Sequence, residues 1–453
     1  VDHDGEAAYF GNVTVAAVSV NPDSLLSAFE HIDKIFMATA NQTAFAIQDE
    51  KLYGIGNNVY GQLGLGNTTS PITTWTESSF TDIKKLCDST GSHNMIVKND
   101  GSVWTIGYNN HGRLGIGNTT NTTTWTRVVG PNNSGYLSNI VDGFIGDHTL
   151  VITDTGNVYG WGRNTVGQAT GDNTTTQYSY PTDYVTGGDQ GGTYLSNITQ
   201  VSVSYGDAGS AFSSAVDSTG NVYAWGANNN GRLGVGDTTG YRVPKKCAIT
   251  NVIQTETLVN DHAFLKSDGT VWVSGRGYFG EHGDGTSGDQ SVSTPVQVKA
   301  VSGSGYLTGI IQITSSNYNL HALKNDGTVY SWGRGDEGQL GNGTTTTSQS
   351  RPVKVVGVGG SGELSGIKYI SASRSFVYAI DGDGVIYIWG NQGATNRYVT
   401  GSTILTTPHV LSNSGDMSSA SLSFGAPQPS LTAATPGTLA FHHGNFDDVY
   451  GDG

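Results

Sequence analysis

The chain predicts an all-β fold, a seven-bladed β-propeller of four-stranded blades, on three observations. Seven times a strand-like run ends on an anchor glycine, after an aromatic or aliphatic residue in six and after Ser274 in one: Gly56, Gly107, Gly162, Gly226, Gly275, Gly333 and Gly390. Before most of these anchors stands an Asp-Gly or Asn-Gly type turn, and after most of them a loop with regularly spaced glycines. Repeats of this length, built from short strands and turns, signal a closed array of sheets.

The third repeat displays the unit. His148-Thr149-Leu150-Val151-Ile152 reads as an apolar strand, Thr153-Asp154-Thr155-Gly156 as its turn, and Asn157-Val158-Tyr159-Gly160-Trp161-Gly162 as the returning strand. Asp or Asn before Gly suits a tight hairpin, where positive φ is needed. Equivalent turns are Asn99-Asp100-Gly101, Asp217-Ser218-Thr219-Gly220, Ser267-Asp268-Gly269, Asn325-Asp326-Gly327 and Gly382-Asp383-Gly384. Shortly after each turn stands an aromatic: Tyr53, Trp104, Tyr159, Tyr223, Trp272, Tyr330 or Tyr387. Such rings favour pleated backbone and are expected to pack between adjacent blades.

Beyond the anchor, Gly61-Gln62-Leu63-Gly64-Leu65-Gly66 returns in spacing at Gly112, Gly115, Gly117, at Gly231, Gly234, Gly236, at Gly280, Gly283, Gly285 and at Gly338, Gly341, Gly343. A single Gly-x-Gly run could cradle phosphate, but these copies open no helix and recur in register, so they read as structural turns. A proline or valine strand closes each unit, as in Thr294-Pro295-Val296-Gln297-Val298 and Arg351-Pro352-Val353-Lys354-Val355. The propeller is assigned to residues 31–411. Residues 1–30 form an N-terminal arm with a strand-like run, Asn12–Val20, suited to closing a blade. Residues 412–453 form an extended C-terminal arm.

Composition bounds function. Glycine is 66 of 453 residues, and its surplus sits at the repeated turns. Net charge is −15 and only 13% of residues are charged, a poor match to a phosphate backbone, so no nucleic-acid partner is expected. The small basic pairs Lys84-Lys85 and Lys245-Lys246 read as solvated faces. No stretch is apolar enough for a membrane span, and no membrane insertion is expected. Cys87 and Cys247 lie in different repeats and read as two buried thiols. Asn and Thr dominate the loops, as in Asn118–Thr124 and Thr344–Thr347. Several runs match glycosylation sequons, which such a composition produces by itself. That uncharged coat, poor in lysine, suggests an extracellular or virion surface, with the cytoplasm as the alternative.

No catalytic, cofactor-binding or metal-ligating residues emerge. Eight residues before each hairpin glycine stand Thr43, His93, His148, Phe212, Asp261, Asn319 and Phe376, and two histidines of seven do not make a catalytic ring. His442-His443 lacks a third ligand at useful spacing, and Asp381-Gly382-Asp383-Gly384 lacks the rest of a calcium loop. The chain is therefore expected to be no enzyme and to need no cofactor.

The hairpin, the aromatic, the Trp-Gly step and the Gly-Gln-Leu-Gly-x-Gly loop together resemble the regulator of chromosome condensation repeat family. Gly61–Gly66 and Trp332-Gly333…Gly338-Gln339-Leu340-Gly341-Asn342-Gly343 match that pattern closely. Repeat three drifts at Gly167-Gln168-Ala169-Thr170-Gly171, and repeat seven loses the loop at Asn391–Asn396. The resemblance implies the seven-bladed fold, and a bacterial or viral member is expected. Known members include guanine nucleotide exchange factors for a small nuclear GTPase, which use one propeller face and a protruding hairpin. The longest inter-anchor stretch could hold such a hairpin near Tyr180–Asp207. The first functional expectation is a non-catalytic interaction or structural platform: a phage-type virion or cell-surface protein, structural or receptor-facing, with protein partners, other subunits bound through its arms, or a glycan receptor. The alternative is an exchange factor or intracellular scaffold.

Overall fold

The computed structural model describes residues 34–36, 43–48, 51–89, 91–206, 209–372, 376–391 and 404–410. They form seven four-stranded sheets. Blade 4 shows the plan: Ile198–Val203, Phe212–Asp217, Val222–Gly226 and Tyr241–Lys246 pair in sequence order, all antiparallel. Blades 1, 2, 5, 6 and 7 repeat it, beginning at Lys34–Phe36, Ile83–Leu86, Val252–Thr257, Ile310–Ser315 and Ile367–Ala372. The expected arms, 1–30 and 412–453, lie outside the described residues.

First strands of neighbouring blades touch one another and line the hub, while fourth strands, such as Ile72–Glu77, are the most exposed. The ring closes through apolar packing. Ala44 and Ile55 of blade 1 share one buried cluster with Phe376, Ile388 and Trp389 of blade 7. Burial is thus spread along the seams between thin blades, each of which is too small to hold a core alone.

Each anchor glycine stands at or near the end of a third strand at positive φ, between 97° at Gly162 and 124° at Gly275. A Cβ at Gly275 would lie 2.3 Å from the Asn260 carbonyl oxygen, and one at Gly333 2.5 Å from that of Tyr318. Backbone therefore meets backbone at the anchor, and only glycine fits there.

Several expectations need correction. Blade 3 has no regular fourth strand on its outer side. Isolated bridges from Tyr178 to Gly162 and from Tyr184 to Tyr159 stand in its place, and Asp88–Ser89 adds a parallel strand on the inner side. The described part of the expected Tyr180–Asp207 hairpin region ends at Gly206. As far as there, the long stretch is spent on that outer edge, on a short antiparallel excursion that bridges Thr186 to Tyr194 and packs on Tyr241–Lys246, and on the first strand of blade 4, so it does not protrude. The aromatics after the hairpin turns are mostly half-buried; only Tyr223 and Tyr330 are buried. Most still pack between blades as expected: Tyr223 and Tyr330 share clusters with blades 3 and 5, and Tyr159, Trp272 and Tyr387 lie against clusters that include blades 2, 4 and 6. The tryptophans immediately before four anchors, Trp161, Trp225, Trp332 and Trp389, add fully buried inter-blade rings. Their indole N–H can also bond: Trp161, Trp332 and Trp389 donate to the carbonyls of Arg113, Glu281 and Gln339 in the preceding blade at 2.8–2.9 Å. Lys85 is not solvated; it is buried beside Asp142 at 2.6 Å. Cys87 and Cys247 are buried free thiols.

Candidate protein-interaction face

Strand direction sorts the loops. Connections from first to second strand and from third to fourth emerge on one side of the disc, the loop face. Hairpins between second and third strands, and the crossings to the next blade, emerge on the other. The loop face is braced from within. Asn58, Asn109, Asn164 and Asn228 stand two residues past their anchors. Each accepts, through Oδ1, the N–H of the residue five positions on, at 2.8–3.0 Å. Their Nδ2 groups donate to loop carbonyls such as Asn118 and Thr120 for Asn109, both at 3.0 Å. These hubs escaped sequence reasoning, although an Asn at a fixed offset from four anchors was a usable signal.

The Asn and Thr runs prove to be part of the same loops. Asn67, Asn118, Asp172, Asp237, Asp284 and Asn342 each accept, through Oδ1, the N–H of the threonine two residues on, at 2.8–3.2 Å. These are Asx turns, in which a short polar side chain imitates a backbone turn. Local turn chemistry thus accounts for much of the composition that suggested an outward coat.

Above this frame the loop face carries arginines set against aromatic rings. Arg113 and Arg163 flank Asp147 at 2.8 and 3.0 Å, joining blades 2 and 3. Arg113 also stands 5.0 Å from the Tyr108 ring, which stacks on Tyr60 at 4.6 Å. Burial lowers the Arg113 pKa, and the Asp147 charge opposes that shift. In blade 5, Arg276 pairs with Asp289 and lies 4.7 Å over Tyr278. The hydrogen bond to Asp289 raises the Arg276 pKa. In blade 6, Arg334 pairs with Asp336 at 2.8 Å and faces Phe279 at 5.6 Å. Tyr60, Tyr205 and Tyr278 are exposed.

Between blades 4, 5 and 6 the face dips into a cleft of about 270 Å³, walled by Tyr205, Ser210, Val259, Tyr318, Arg334 and Glu337. Its lining is polar and aromatic, with one paired cation. The arrangement can stack, accept and donate hydrogen bonds, and exchange ion-pair partners. Among the described residues, no group of three or more His, Cys, Asp or Glu side chains is placed to hold a metal.

The seven anchor glycines lie under this face as its scaffold and reach no common site. His93 and His148 are buried at the starts of second strands. His148 Nε2 lies 2.6 Å from Ser213 Oγ of the next blade, and burial lowers its pKa to about 3, which suits a neutral structural imidazole.

Comparison with known proteins decides the family. A model of the regulator of chromosome condensation (RCC1) repeat matches residues 100–152, 219–255 and 326–380, and a second RCC1-repeat model matches 146–168 and 310–339. The chain belongs to the RCC1 repeat family.

Among RCC1-repeat relatives, the chain is 30% identical over 326 residues to human E3 ubiquitin-protein ligase HERC2, covering 70% of this chain and 6% of that protein. It is 31% identical over 255 residues to the ultraviolet-B receptor UVR8 of Arabidopsis thaliana, covering 55% of this chain and 54% of the receptor. It thus spans a small part of one relative and about half of the other. Among solved structures, Prp20p from Saccharomyces cerevisiae superposes with a TM-score of 0.63 at 17% identity, over 87% of this chain and 90% of that one, a likeness of fold. These relatives are human, plant and yeast proteins, so the expected bacterial or viral origin is not borne out. Nor do they support a virion or cell-surface structural role; the exchange-factor or scaffold alternative stands closer to them.

Proposed function

We propose that this RCC1-repeat propeller is a non-enzymatic, intracellular protein-recognition platform whose partner docks on the loop face over blades 4 to 6. The observation that carries this reading is the set of arginines held against tyrosine and phenylalanine around the cleft. Arg and Tyr dominate interface hot spots because they combine large contact area with directed hydrogen bonds. Ion pairing with Asp289 and Asp336 fixes Arg276 and Arg334 in advance, which lowers the entropic cost of docking.

A second reading, guanine nucleotide exchange, draws on Prp20p, whose structure is described together with its binding to Gsp1p and histones. One experiment separates the two. The chain is mixed with a nuclear GTPase of the Gsp1p type loaded with fluorescent GDP, with and without the substitutions Arg276→Ala and Tyr278→Ala. Accelerated release that the substitutions abolish establishes exchange. Binding without release, weakened by the substitutions, establishes recognition alone. If partners captured from cells are lost on replacing Tyr306 on the opposite side but survive the loop-face changes, the docking assignment is wrong.

A further inference from the structure

Three blades tie down the loop after the anchor with a neutral amide. The N–H groups of Tyr60, Val166 and Glu337 donate to Oε1 of Gln62, Gln168 and Gln339 at 2.9, 2.9 and 2.8 Å. Blade 5 makes the same bond with an ionisable group: Phe279 N–H donates to Glu281 Oε2 at 2.7 Å. Glu281 is only 1% exposed.

Its surroundings are altered as well. Where other loops bury Leu63, Leu114, Leu233 or Leu340, blade 5 buries His282. Where other second strands begin on Thr43, Phe212 or Phe376, blade 5 begins on buried Asp261. Asp261 Oδ1 accepts the Gly277 N–H at 2.7 Å and stands 3.6 Å from His282 Nε2. Arg232 reaches in from the blade 4 loop and donates to the carbonyls of Ser210 and Val259 at 2.6 and 2.9 Å. Asp261 Oδ2, His282 Nδ1 and Arg232 Nε have no hydrogen-bond partner among the described residues. Unlike the glutamine loops, this one buries two carboxyls and their counter-charges with incomplete satisfaction, an arrangement sensitive to one proton.

We infer that Glu281 is a proton-operated latch: in its neutral form it seats the 276–290 loop against blades 4 and 6, and its ionisation releases that loop together with the Phe279 ring that packs on Tyr318 of the cleft wall. The inference rests on the reading of the loop face as a docking surface and supplies its regulation. The link to the cleft is short. Glu281 holds the Phe279 amide, the Phe279 ring packs on Tyr318 at 5.3 Å, and Arg334 lies over that ring. The Glu281 carbonyl also accepts the Trp332 indole N–H, one residue before the blade 6 anchor.

Burial raises the Glu281 pKa well above the usual carboxylate value and the neighbouring Asp261 charge adds to it, while the backbone N–H groups of Glu281 and Phe279, and then Arg276, oppose without reversing it. Burial also raises Asp261, against His282 and Arg232. Asp289 completes the set of facing charges through its pair with Arg276. A seated loop therefore holds its proton more tightly than an open one. Seating is complete at acidic pH, below the ordinary carboxylate value, and is lost as pH rises through the raised one.

Amide hydrogen exchange on the full chain, followed in peptides from 276–290 between pH 5 and pH 8, tests the latch. With the intrinsic pH dependence divided out, the loop-opening constant should rise by about tenfold per pH unit while Glu281 stays protonated in the seated loop. Glu281→Gln should abolish that slope and keep the loop protected, since glutamine makes this bond in three other blades. A flat wild-type profile, or a variant whose slope matches wild type, overturns the latch. Partner affinity is then measured over the same range. If the loop titrates and partner binding weakens with it, regulation stands; if the loop titrates and binding does not respond, the regulatory role falls.

Discussion

Neighbouring blades are joined at the hub in two different ways. From blade 4 to blade 7 each seam is closed by a glutamine that imitates a peptide group. Gln200 Oε1 and Nε2 bond the N–H and carbonyl of Thr255 at 2.8 and 3.2 Å. Gln254 does the same to Ile313, and Gln312 to Ile370, at 2.6–3.1 Å. Between blades 2 and 3 the equivalent positions hold Lys85 and Asp142, a buried ion pair. A neutral amide satisfies two backbone groups at modest desolvation cost. The ion pair must first recover the far larger cost of removing two charges from water. Equal geometry therefore does not mean equal robustness: the ion-pair seam should fail harder when half of it is removed.

Acid is expected to act most strongly, and on both arcs. His93 and His148 stand in second strands of blades 2 and 3, the latter bonded across to Ser213 of blade 4, His262 and His321 stand in those of blades 5 and 6, and all are fully buried. Burial is the leading cause that lowers all four, with His148, His262 and His321 at about 3. Stability from a buried neutral imidazole is present above its unfolded value and lost as pH falls toward the folded one. Each of these three should therefore cost about 1.4 kcal/mol per pH unit below about pH 6.5. Thermal denaturation at pH 7, 6 and 5 checks the slope, and parallel loss of exchange protection in the second strands of blades 2, 3, 5 and 6, outside the 276–290 loop, checks its distribution.

Next in size is Asp142→Ala, which leaves Lys85 charged in a dry seam and should destabilise by about 3–5 kcal/mol in urea titrations. Gln254→Leu should cost less, about 2–3 kcal/mol, because it leaves the Ile313 amide and carbonyl unsatisfied without stranding a charge. A Gln254→Leu loss as large as that of Asp142→Ala would break the comparison. Replacing the whole ion pair, Lys85→Met with Asp142→Leu, should fall within about 1 kcal/mol of wild type or exceed it. The exposed pair Lys51–Glu77, 3.2 Å apart on blade 1, sets the lower bound: Lys51→Ala should change stability by about 0–0.5 kcal/mol.

Much of the fold was legible before any coordinates, because its determinants are local. The anchors, the Asp-Gly hairpins and the glycine loops each state a backbone requirement within a few residues. Blade 3 was misjudged at its outer edge because pairing through Tyr178 and Tyr184 depends on chain far from any hairpin signal. The candidate face was much less legible. Arg276, Arg334 and Tyr318 belong to different sequence neighbourhoods, and no motif announces that Phe279 lies between them. The Asn/Thr runs misled in the opposite direction, since Asx turns at Asn67 and Asn118 explain locally what had suggested an outer surface.

By itself, then, the sequence determined the number of blades, the places where each strand turns, and the glycines that let one backbone lie against another. Only the tertiary structure decided which tryptophans fill the seams, that Lys85 meets Asp142, and that Glu281 stands where other blades keep a glutamine. The physical reason is separation along the chain. Turn and strand preferences act over a few residues, whereas partners in a ring seam lie a whole repeat apart and meet only when the blades stack.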